Sequence, residues 1–344
     1  MSAYRDFTLS EHFPEAEVRK WVDELHAEGQ HFVVINDPGI ASGYPPGEYA
    51  PFDDGAAAGV FIKAPEGSPD AYAIGGVWPG ATAFADFSLP AAHSWWEAQV
   101  TTFHGKIGFD GLWLDMGEPS VFRDAVEEAR ARRAAAPSPP PPAPPPPPVP
   151  AGAAARGAKA PLIDFTWPPF LPGRRGGAAM LEEKTLPTAA RTGAGEQYWV
   201  HSLFGLLEAA ATAPVLRRLT GARQFIISRA TWAGSGAWGG HWLGDNTATW
   251  HDLRMSLPGV FNFHVFGQPF VGTDLCGFAP AGASVGGHAG LGGEGALDDH
   301  GLDGELCARW YQMGALIYTF FRVRRTGRAG GAAPLEAWAS PAPT

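Results

Sequence analysis

A short apolar run that ends on an acidic residue constrains the fold of this chain most strongly. The run is Leu112-Trp113-Leu114, and Asp115 follows it directly, with Glu118 three residues later and Pro119 ending regular structure. A run this short and aromatic is typical of a buried strand. In a parallel α/β fold, carboxylates at strand ends lie where catalytic groups are usually found. The spacing alone is explained equally well by an acidic strand cap in a solvated loop.

The same arrangement recurs along the chain. Charged residues stand at or just past the carboxyl ends of predicted strands at Asp37, Asp115, Arg229, Asp245 and Asp274. Strand ends of a parallel barrel converge on one face, so these side chains are expected to lie together. Taken alone, Asp37 before a proline and Asp245 in a Gly-Asp-Asn turn are equally well explained as turn residues.

Composition excludes several classes of function. The net charge of −10 argues against nucleic-acid binding, which depends on Lys and Arg. Two cysteines make neither a disulfide framework nor a zinc site, and no cofactor or metal is expected. No run of 18 or more apolar residues is present, so no membrane span is predicted. Most of the 13 Trp are expected to fill the core.

Helical spacing of apolar residues predicts four helices. They cover residues 14–28, 90–104, 198–208 and 252–257. In the third helix the pattern predicts a buried face made of Val200, Leu203, Leu206 and Leu207. Pro258-Gly259 is expected to end the fourth helix.

Three segments have compositions that do not fit a packed core. Residues 128–161 are rich in Pro and Ala, and their proline tract can only be polyproline II or disordered. It could serve as a peptide ligand, but a neutral insertion is the favoured interpretation. Residues 279–303 are a Gly-rich insert, and residues 325–344 are predicted to be a disordered tail.

A family resemblance adds specific roles to these patterns. The segment Asp110-Gly-Leu-Trp-Leu-Asp-Met-Gly-Glu-Pro-Ser120 resembles the nucleophile motif DGLWxDMNEPS of glycoside hydrolase family 31, the α-glucosidase family. Other segments match in the family's order, around residues 198–208, 232–250, 263–278 and 305–315. Gly117 stands where the family has Asn, and Ala237-Trp238 stands where it has Arg-Tyr. The segment Phe320–Arg325 lacks the family's sugar-binding His.

The resemblance implies how the site residues divide the work. Asp115 would be the catalytic nucleophile and Asp245 the general acid/base, while Glu118 would support the loop. Substrate-binding roles are implied for Asp37, Trp78, Trp113, Met116, Arg229, Trp242, Asp274 and Phe278. Arg229 would steady a carboxylate, and Asp274 would contact the sugar or hold Arg229. The resemblance also implies a disulfide between Cys276 and Cys307.

The implied fold is an α/β (β/α)8 TIM-type barrel over residues 1–324 that lacks its first two strands. The implied activity is retaining hydrolysis of terminal α-linked glucose from oligosaccharides, with self-association through exposed barrel edges. A secretory, vacuolar, lysosomal or extracellular location is expected, although the chain shows no signal peptide. A catalytically inactive barrel fragment or a sugar-binding protein is the alternative.

Overall fold

A computed structural model describes residues 1–122, 181–279 and 304–324, and the backbone of three short strands within 284–289 and 336–339. It divides into two compact units. The first unit comprises Met1–Glu11, Pro38–Trp95 and Pro119–His201, and the second comprises His12–Asp37, Trp96–Glu118 and Ser202–Thr344. The expected insert 128–161 lies outside the described residues, as do most of the insert 279–303 and most of the tail 325–344.

The elements are numbered in chain order. The strands are β1 (Val33–Asn36), β2 (Gly39–Ala41), β3 (Ile74–Val77), β4 (Gly80–Phe84), β5 (Gly111–Leu114), β6 (Arg191–Thr192), β7 (Gly195–Glu196), β8 (Phe225–Ser228), β9 (Gly240–Trp242), β10 (Val271–Leu275), β11 (Ser284–Val285), β12 (His288–Ala289), β13 (Phe320–Arg324) and β14 (Glu336–Ala339). The α-helices are α1 (Glu15–Ala27), α2 (Ala50–Ala58), α3 (Pro90–Ile107), α4 (Gln197–Val200), α5 (Phe204–Thr220), α6 (Trp250–Val265) and α7 (Gly304–Ile317).

The first unit contains a small antiparallel sheet in the order β2-β4-β3 and the two-stranded β6-β7 ribbon. Its core is aromatic. The ring of Phe61 stacks on Phe52 at 5.3 Å and meets Trp95 edge-on at 5.7 Å. The indole of Trp95 donates to the carbonyl of Pro51 at the start of α2. These contacts bury the polar edge of Trp95 without leaving it unsatisfied.

The second unit is built on a seven-stranded sheet in the order β1-β5-β8-β9-β10-β13-β14. All neighbouring pairs from β1 to β13 are parallel. Helix α5 packs on β5 and β8, and α6 and α7 pack on β10. Because the strands run in one direction, the residues that follow β1, β5, β8 and β9 leave the sheet at the same edge.

Helices α1 and α3 confirm the predictions for residues 14–28 and 90–104.

The prediction that Pro258 ends the fourth helix is wrong. Helix α6 continues to Val265 with Pro258 inside it. A proline inside a helix costs about 3 kcal/mol because a hydrogen bond is lost. Leu253 and Val260, on either side of Pro258, belong to a buried cluster with Val271. Burial of both turns stabilises the helix enough to offset that cost.

The predicted buried face of the third helix is also wrong. Val200, Leu203, Leu206 and Leu207 are only partly buried, whereas Phe204, Gly205, Glu208, Ala209 and Thr212 are buried. Small residues on this face let α5 lie close to the sheet, so close approach decided the orientation rather than side-chain hydrophobicity.

The same helical stretch is long and apolar enough to span a membrane, although no span was predicted. Gln197–Thr220 is 24 residues long, and one window within it has a mean hydropathy of 1.2, so length and composition alone would allow it to cross a membrane. Helices of protein cores pass the same test. Half of this window is buried, and the buried face carries Glu208 and Thr212, which is typical of a core helix.

The prediction that the whole tail is disordered is wrong for four residues. Strand β14 pairs antiparallel with β13, with Trp338 opposite Arg322. Without this strand, β13 would present an unpaired edge, and covering such an edge satisfies its backbone groups.

The two cysteines lie together in the second unit. Cys276 follows β10 and Cys307 lies in α7, and they form a disulfide with their Cα atoms 4.5 Å apart. That separation is within the range that a disulfide requires. The bond therefore fixes the start of α7 to the end of β10.

Removing this bond is expected to destabilise the protein. The sequence separation of 31 residues corresponds to roughly 3–4 kcal/mol on the chain-entropy model. The variant Cys307→Ser should melt several degrees below the oxidised wild type. Wild type treated with a thiol reductant is the control and should fall by a similar amount. An unchanged melting temperature in both samples would contradict a stabilising disulfide.

Candidate active site

The loop after β5 presents Asp115 in a constrained conformation. The backbone N–H of Asp115 donates to the carbonyl of Asn36 on the neighbouring strand at 3.4 Å. Met116 has a φ of 58°, in the left-handed region that side chains other than Gly rarely adopt. This conformation lets the N–H of Met116 donate to Oδ1 of Asp115 at 2.7 Å. Local backbone strain of this kind is typical of functional sites, because the surrounding structure must support it.

Arg229 follows β8 and connects Asp115 to Glu118. Its Nη1 lies 3.2 Å from Oδ1 of Asp115. Its Nε and Nη2 donate to the two oxygens of Glu118 at 2.8 and 3.2 Å. A bidentate guanidinium–carboxylate pair fixes both distance and orientation. One cation thus holds both acidic residues of the 115–118 loop.

A second cation connects Asp274 to Asp245. Arg322, on β13, donates from Nε to Oδ1 of Asp274 at 2.6 Å and from Nη2 to Oδ2 of the same carboxylate. Its Nη2 also lies 3.4 Å from Oδ1 of Asp245. Asp274 and Arg322 are direct neighbours in the strand register. Arg322, and not Arg229, is therefore the cation that Asp274 contacts.

Two indoles lie between these ion pairs. The rings of Trp113 and Trp242 meet edge to face at 5.2 Å. The guanidinium of Arg229 lies 5.7 Å from the Trp242 ring, and that of Arg322 lies 4.8 Å from the Trp113 ring. Such cation–π contacts are stronger where water is excluded. Trp242 and Asp274 are fully buried, so both contact other site side chains rather than solvent.

Three further residues have implied substrate-binding roles, and each lies in a different part of the structure. Asp37 directly follows β1 and is half-buried. Phe278 follows β10, and its ring lies 4.7 Å from the Arg322 guanidinium. Trp78 is in the first unit, between β3 and β4, where its exposed ring contacts Phe122 at 4.6 Å and Tyr4 at 6.2 Å.

The neighbour of Trp242 is a neutral histidine. His241 precedes Trp242 on β9. It is buried, stacks on Phe263 at 3.6 Å, and shares a hydrogen bond with Thr231. Burial lowers the pKa of His241 to about 3, so this ring carries no charge near neutral pH.

Polar anchors that the sequence patterns did not predict hold the loop that carries Asp245. The amide of Asn246 donates to the carbonyl of Asp274 and to Oγ1 of Thr273, both at 3.0 Å. Thr249 caps α6 by accepting from the N–H of Asp252 at 3.1 Å. The carboxylate of Asp252 accepts in turn from the N–H of Thr247 at 2.6 Å.

Burial and neighbouring charges set the ionisation of the acidic groups. Burial raises the pKa of Asp115 to about 6, with smaller contributions in the same direction from the charges of Glu118 and Asp245. Arg229 and the N–H of Met116 oppose that rise in pKa. Burial lowers the pKa of Arg229, but the hydrogen bond and charge of Glu118 and the charges of Asp115 and Asp245 outweigh it, so the net shift is upward. Arg229 therefore stays charged.

Among the described residues, Asp115, Glu118, Asp245 and Asp274 pair with two guanidinium groups, so carboxylates outnumber cations in the cluster. Such a cluster favours a group that develops positive charge.

No metal site is found in the described part of the chain: within residues 1–122, 181–279 and 304–324, no three His, Cys, Asp or Glu side chains are grouped to hold an ion.

Arg322 is the main site residue that the sequence analysis missed. In the family comparison, the segment Phe320–Arg325 stands out only by its lack of the family's His. One signal was available: Phe320-Phe-Arg ends an apolar run with a charged residue, like the other strands of the sheet. The partner of Arg322 could not be deduced, because it depends on the register of β10 and β13.

A side chain at Gly117 would crowd the carboxylate of Glu208. A Cβ built there would lie 2.8 Å from Oε2 of Glu208 and 3.4 Å from Cβ of Ala230. Glu208 is fully buried on α5. The departure from the family's Asn therefore coincides with close packing of the loop against α5.

Comparisons with known proteins identify the family of this chain. The model of the "Glycosyl hydrolases family 31 TIM-barrel domain" matches residues 1–343. The lysosomal alpha-glucosidase of Mus musculus is 36% identical over 322 residues, which cover 94% of this chain and 28% of that protein. Alpha-xylosidase 1 of Arabidopsis thaliana is 35% identical over 326 residues, covering 94% of this chain and 32% of its own length. The chain thus spans about a third or less of these relatives.

Similarity to solved structures supports the same fold. The chain resembles a crystal structure of the heterodimeric ER glucosidase II complex, with a TM-score of 0.64 and 24% identity. The similarity covers 96% of this chain and 28% of the solved chain. At this identity the comparison establishes the fold, which is that of an α/β barrel domain.

The close contact at Gly117 leads to a stability prediction with a matched control. In Gly117→Ala the new Cβ must displace the buried carboxylate of Glu208, so we expect a loss of about 1–3 kcal/mol in unfolding free energy. Gly105, inside α3, has no atom within 4 Å of the corresponding Cβ position. Gly105→Ala should therefore stabilise by about 0.5–1 kcal/mol. Denaturant titrations that give the same sign for both variants would contradict the packing at Gly117.

Proposed function

This chain belongs to glycoside hydrolase family 31, and on that basis we propose that it hydrolyses terminal α-linked glucose from oligosaccharides with retention of configuration. One observation carries the proposal. Asp115 and Asp245, at the ends of different parallel strands, are each held through Oδ1 by a different guanidinium group. Two separately held carboxylates are what a glycosidase needs, one to attack the anomeric carbon and one to protonate the leaving oxygen.

The first step forms a bond to Asp115. Oδ1 of Asp115 already accepts from the N–H of Met116 and from Arg229. We therefore assign the attack on the anomeric carbon to Oδ2. As that bond forms, the bond from the anomeric carbon to the leaving oxygen breaks, and Asp245 gives its proton to that oxygen.

The second step releases the sugar. Asp245, now a carboxylate, takes a proton from water, and the water oxygen attacks the anomeric carbon. The bond between Oδ2 of Asp115 and the anomeric carbon breaks, and Asp115 becomes a carboxylate again. Two displacements on opposite faces restore the original configuration. In both steps the sugar ring develops positive charge, which the net negative charge of the cluster stabilises.

The finer architecture is also part of the proposal. We infer that β1, β5, β8, β9, β10 and β13 correspond to strands three to eight of a (β/α)8 barrel. Segments 128–161 and 279–303 are then inserts after the fourth and seventh strands of that barrel. Self-association through open barrel edges stays a prediction.

A sugar-binding protein without activity is the second candidate. The observation that favours it is the segment Phe320–Arg325, which has no His where the family binds the sugar. Hydrolysis of an aryl α-glucoside by the purified protein separates the two functions. Binding of the α-glucoside without turnover would favour the second.

The division of roles between the carboxylates predicts different kinetic defects. Asp115→Ala should abolish turnover of every α-glucoside, because no covalent intermediate can form. Asp245→Ala should lose about 10²–10⁴-fold in kcat/KM on maltose but much less on 2,4-dinitrophenyl α-glucoside, whose phenolate leaves without a proton. Azide should partly rescue Asp245→Ala on the activated substrate and yield a glycosyl azide of retained configuration.

Arg218→Met serves as the control for these two variants, because Arg218 is half-exposed and pairs with Glu97. Its activity should match that of the wild type on both substrates. Equal losses of Asp245→Ala on maltose and on the activated glucoside would show that Asp245 is not the acid.

The environment of Asp115 predicts the acid limb of the pH profile. Attack needs the ionised carboxylate, so kcat/KM should fall as the pH drops through about 6. Arg229 lowers the pKa of Asp115, so Arg229→Gln should raise that pKa and move the acid limb to higher pH. Arg218→Gln should leave the limb in place. A limb that moves to lower pH in Arg229→Gln would contradict the assigned role of Arg229.

A further inference from the structure

We propose that Arg322 is the positioning residue of Asp245: Asp274 fixes the guanidinium of Arg322 in one orientation, and Nη2 of that guanidinium then places the carboxylate of Asp245. The catalytic meaning of this arrangement rests on the proposed glycosidase function. The geometric claim, that Arg322 determines where Asp245 lies, does not.

The pair between Arg322 and Asp274 leaves the guanidinium no freedom to rotate. Nε binds Oδ1 and Nη2 binds Oδ2 of the same carboxylate, which is a bidentate contact. The Cα atoms of the two residues are direct partners on parallel strands. Both side chains are buried, with exposed fractions of 1% for Arg322 and 0% for Asp274. The plane of the guanidinium is thus set by the sheet itself.

Two aromatic rings also restrict the position of the Arg322 guanidinium. The guanidinium carbon of Arg322 lies 4.8 Å from the centre of the Trp113 ring and 4.7 Å from the centre of the Phe278 ring. Trp113 lies on β5, directly before the loop of Asp115, and Phe278 follows β10. These contacts limit motion of the guanidinium and link its position to the strand that carries the nucleophile.

The contact with Asp245 assigns the catalytic proton to one oxygen. Nη2 of Arg322 lies 3.4 Å from Oδ1 of Asp245. A guanidinium can only donate hydrogen bonds, so Oδ1 facing it must act as an acceptor. The transferable proton of Asp245 therefore belongs on Oδ2. Arg322 in this way selects which oxygen faces the leaving group.

Stability alone is a weak explanation for this ion pair. Burying a charged pair costs several kcal/mol per ion in lost hydration, and apolar replacements of similar volume are often neutral or stabilising. The contact of the same guanidinium with Asp245 gives the pair a role that an apolar replacement could not supply.

The experiment compares substrates that differ in their need for a proton. Lys at position 322 keeps a positive charge near Asp274, but it lacks the planar fork that reaches two carboxylates. In Arg322→Lys, we expect kcat/KM on maltose to fall by about 10²-fold or more, and on 2,4-dinitrophenyl α-glucoside by less than about tenfold. Arg309→Lys is the matched control, since Arg309 is exposed and pairs with Glu305 within α7. It should leave both values unchanged.

A second measurement does not depend on turnover. Crystal structures of the wild type and of Arg322→Lys should show the Asp245 carboxylate displaced or disordered in the variant. An unmoved Asp245, or equal losses on the two substrates, would overturn the proposal. A wild type that hydrolyses neither substrate would refute the proposed function, while the two structures would still decide whether Arg322 places Asp245.

A double variant avoids the folding defect that Arg322→Lys alone could cause. The double variant Arg322→Met with Asp274→Leu removes both buried charges together, so no carboxylate is left buried without a cation. It should show the same selective loss on maltose. If it retains wild-type activity on maltose, Arg322 does not position Asp245.

Discussion

The binding of two carboxylates by each of two guanidinium groups is the interaction on which this site depends. Arg229 joins Asp115 to Glu118, and Arg322 joins Asp274 to Asp245. Every one of these residues lies on or just after a strand of the parallel sheet. Their side chains can meet because parallel strands end at one edge. The sheet therefore supplies the positions, and the arginines fix the distances between acids that would otherwise repel one another.

Trp113 and Trp242 connect the two ion-paired groups through direct contacts. Each indole lies near one guanidinium, and the two rings contact each other. A displacement of either arginine would disturb an aromatic contact that the other half of the site shares. Burial of both rings also removes water from around the charges, which strengthens each ion pair and raises the cost of losing a partner.

The charged strand ends could be predicted from the sequence because they depend on local patterns, whereas the parallel barrel was implied by the family resemblance. Each of β1, β5 and β8 is a short apolar run followed by a charged residue. The errors arose where tertiary packing outweighed local preference, as at Pro258, which a buried helix accommodates. Arg322 was missed for a related reason: its role depends on the residue opposite it on β10, and strand register is not encoded within a single segment.

The raised pKa of Asp115 is consistent with its proposed role as the nucleophile. A nucleophile must be ionised, yet burial disfavours the anion in the free site. The Met116 N–H and Arg229 limit this effect by donating to Oδ1, which leaves Oδ2 to interact with the substrate. Positive charge that develops on the sugar at the transition state then stabilises the anion beyond what the free site provides. An interaction that is stronger in the transition state than before it is what lowers the barrier.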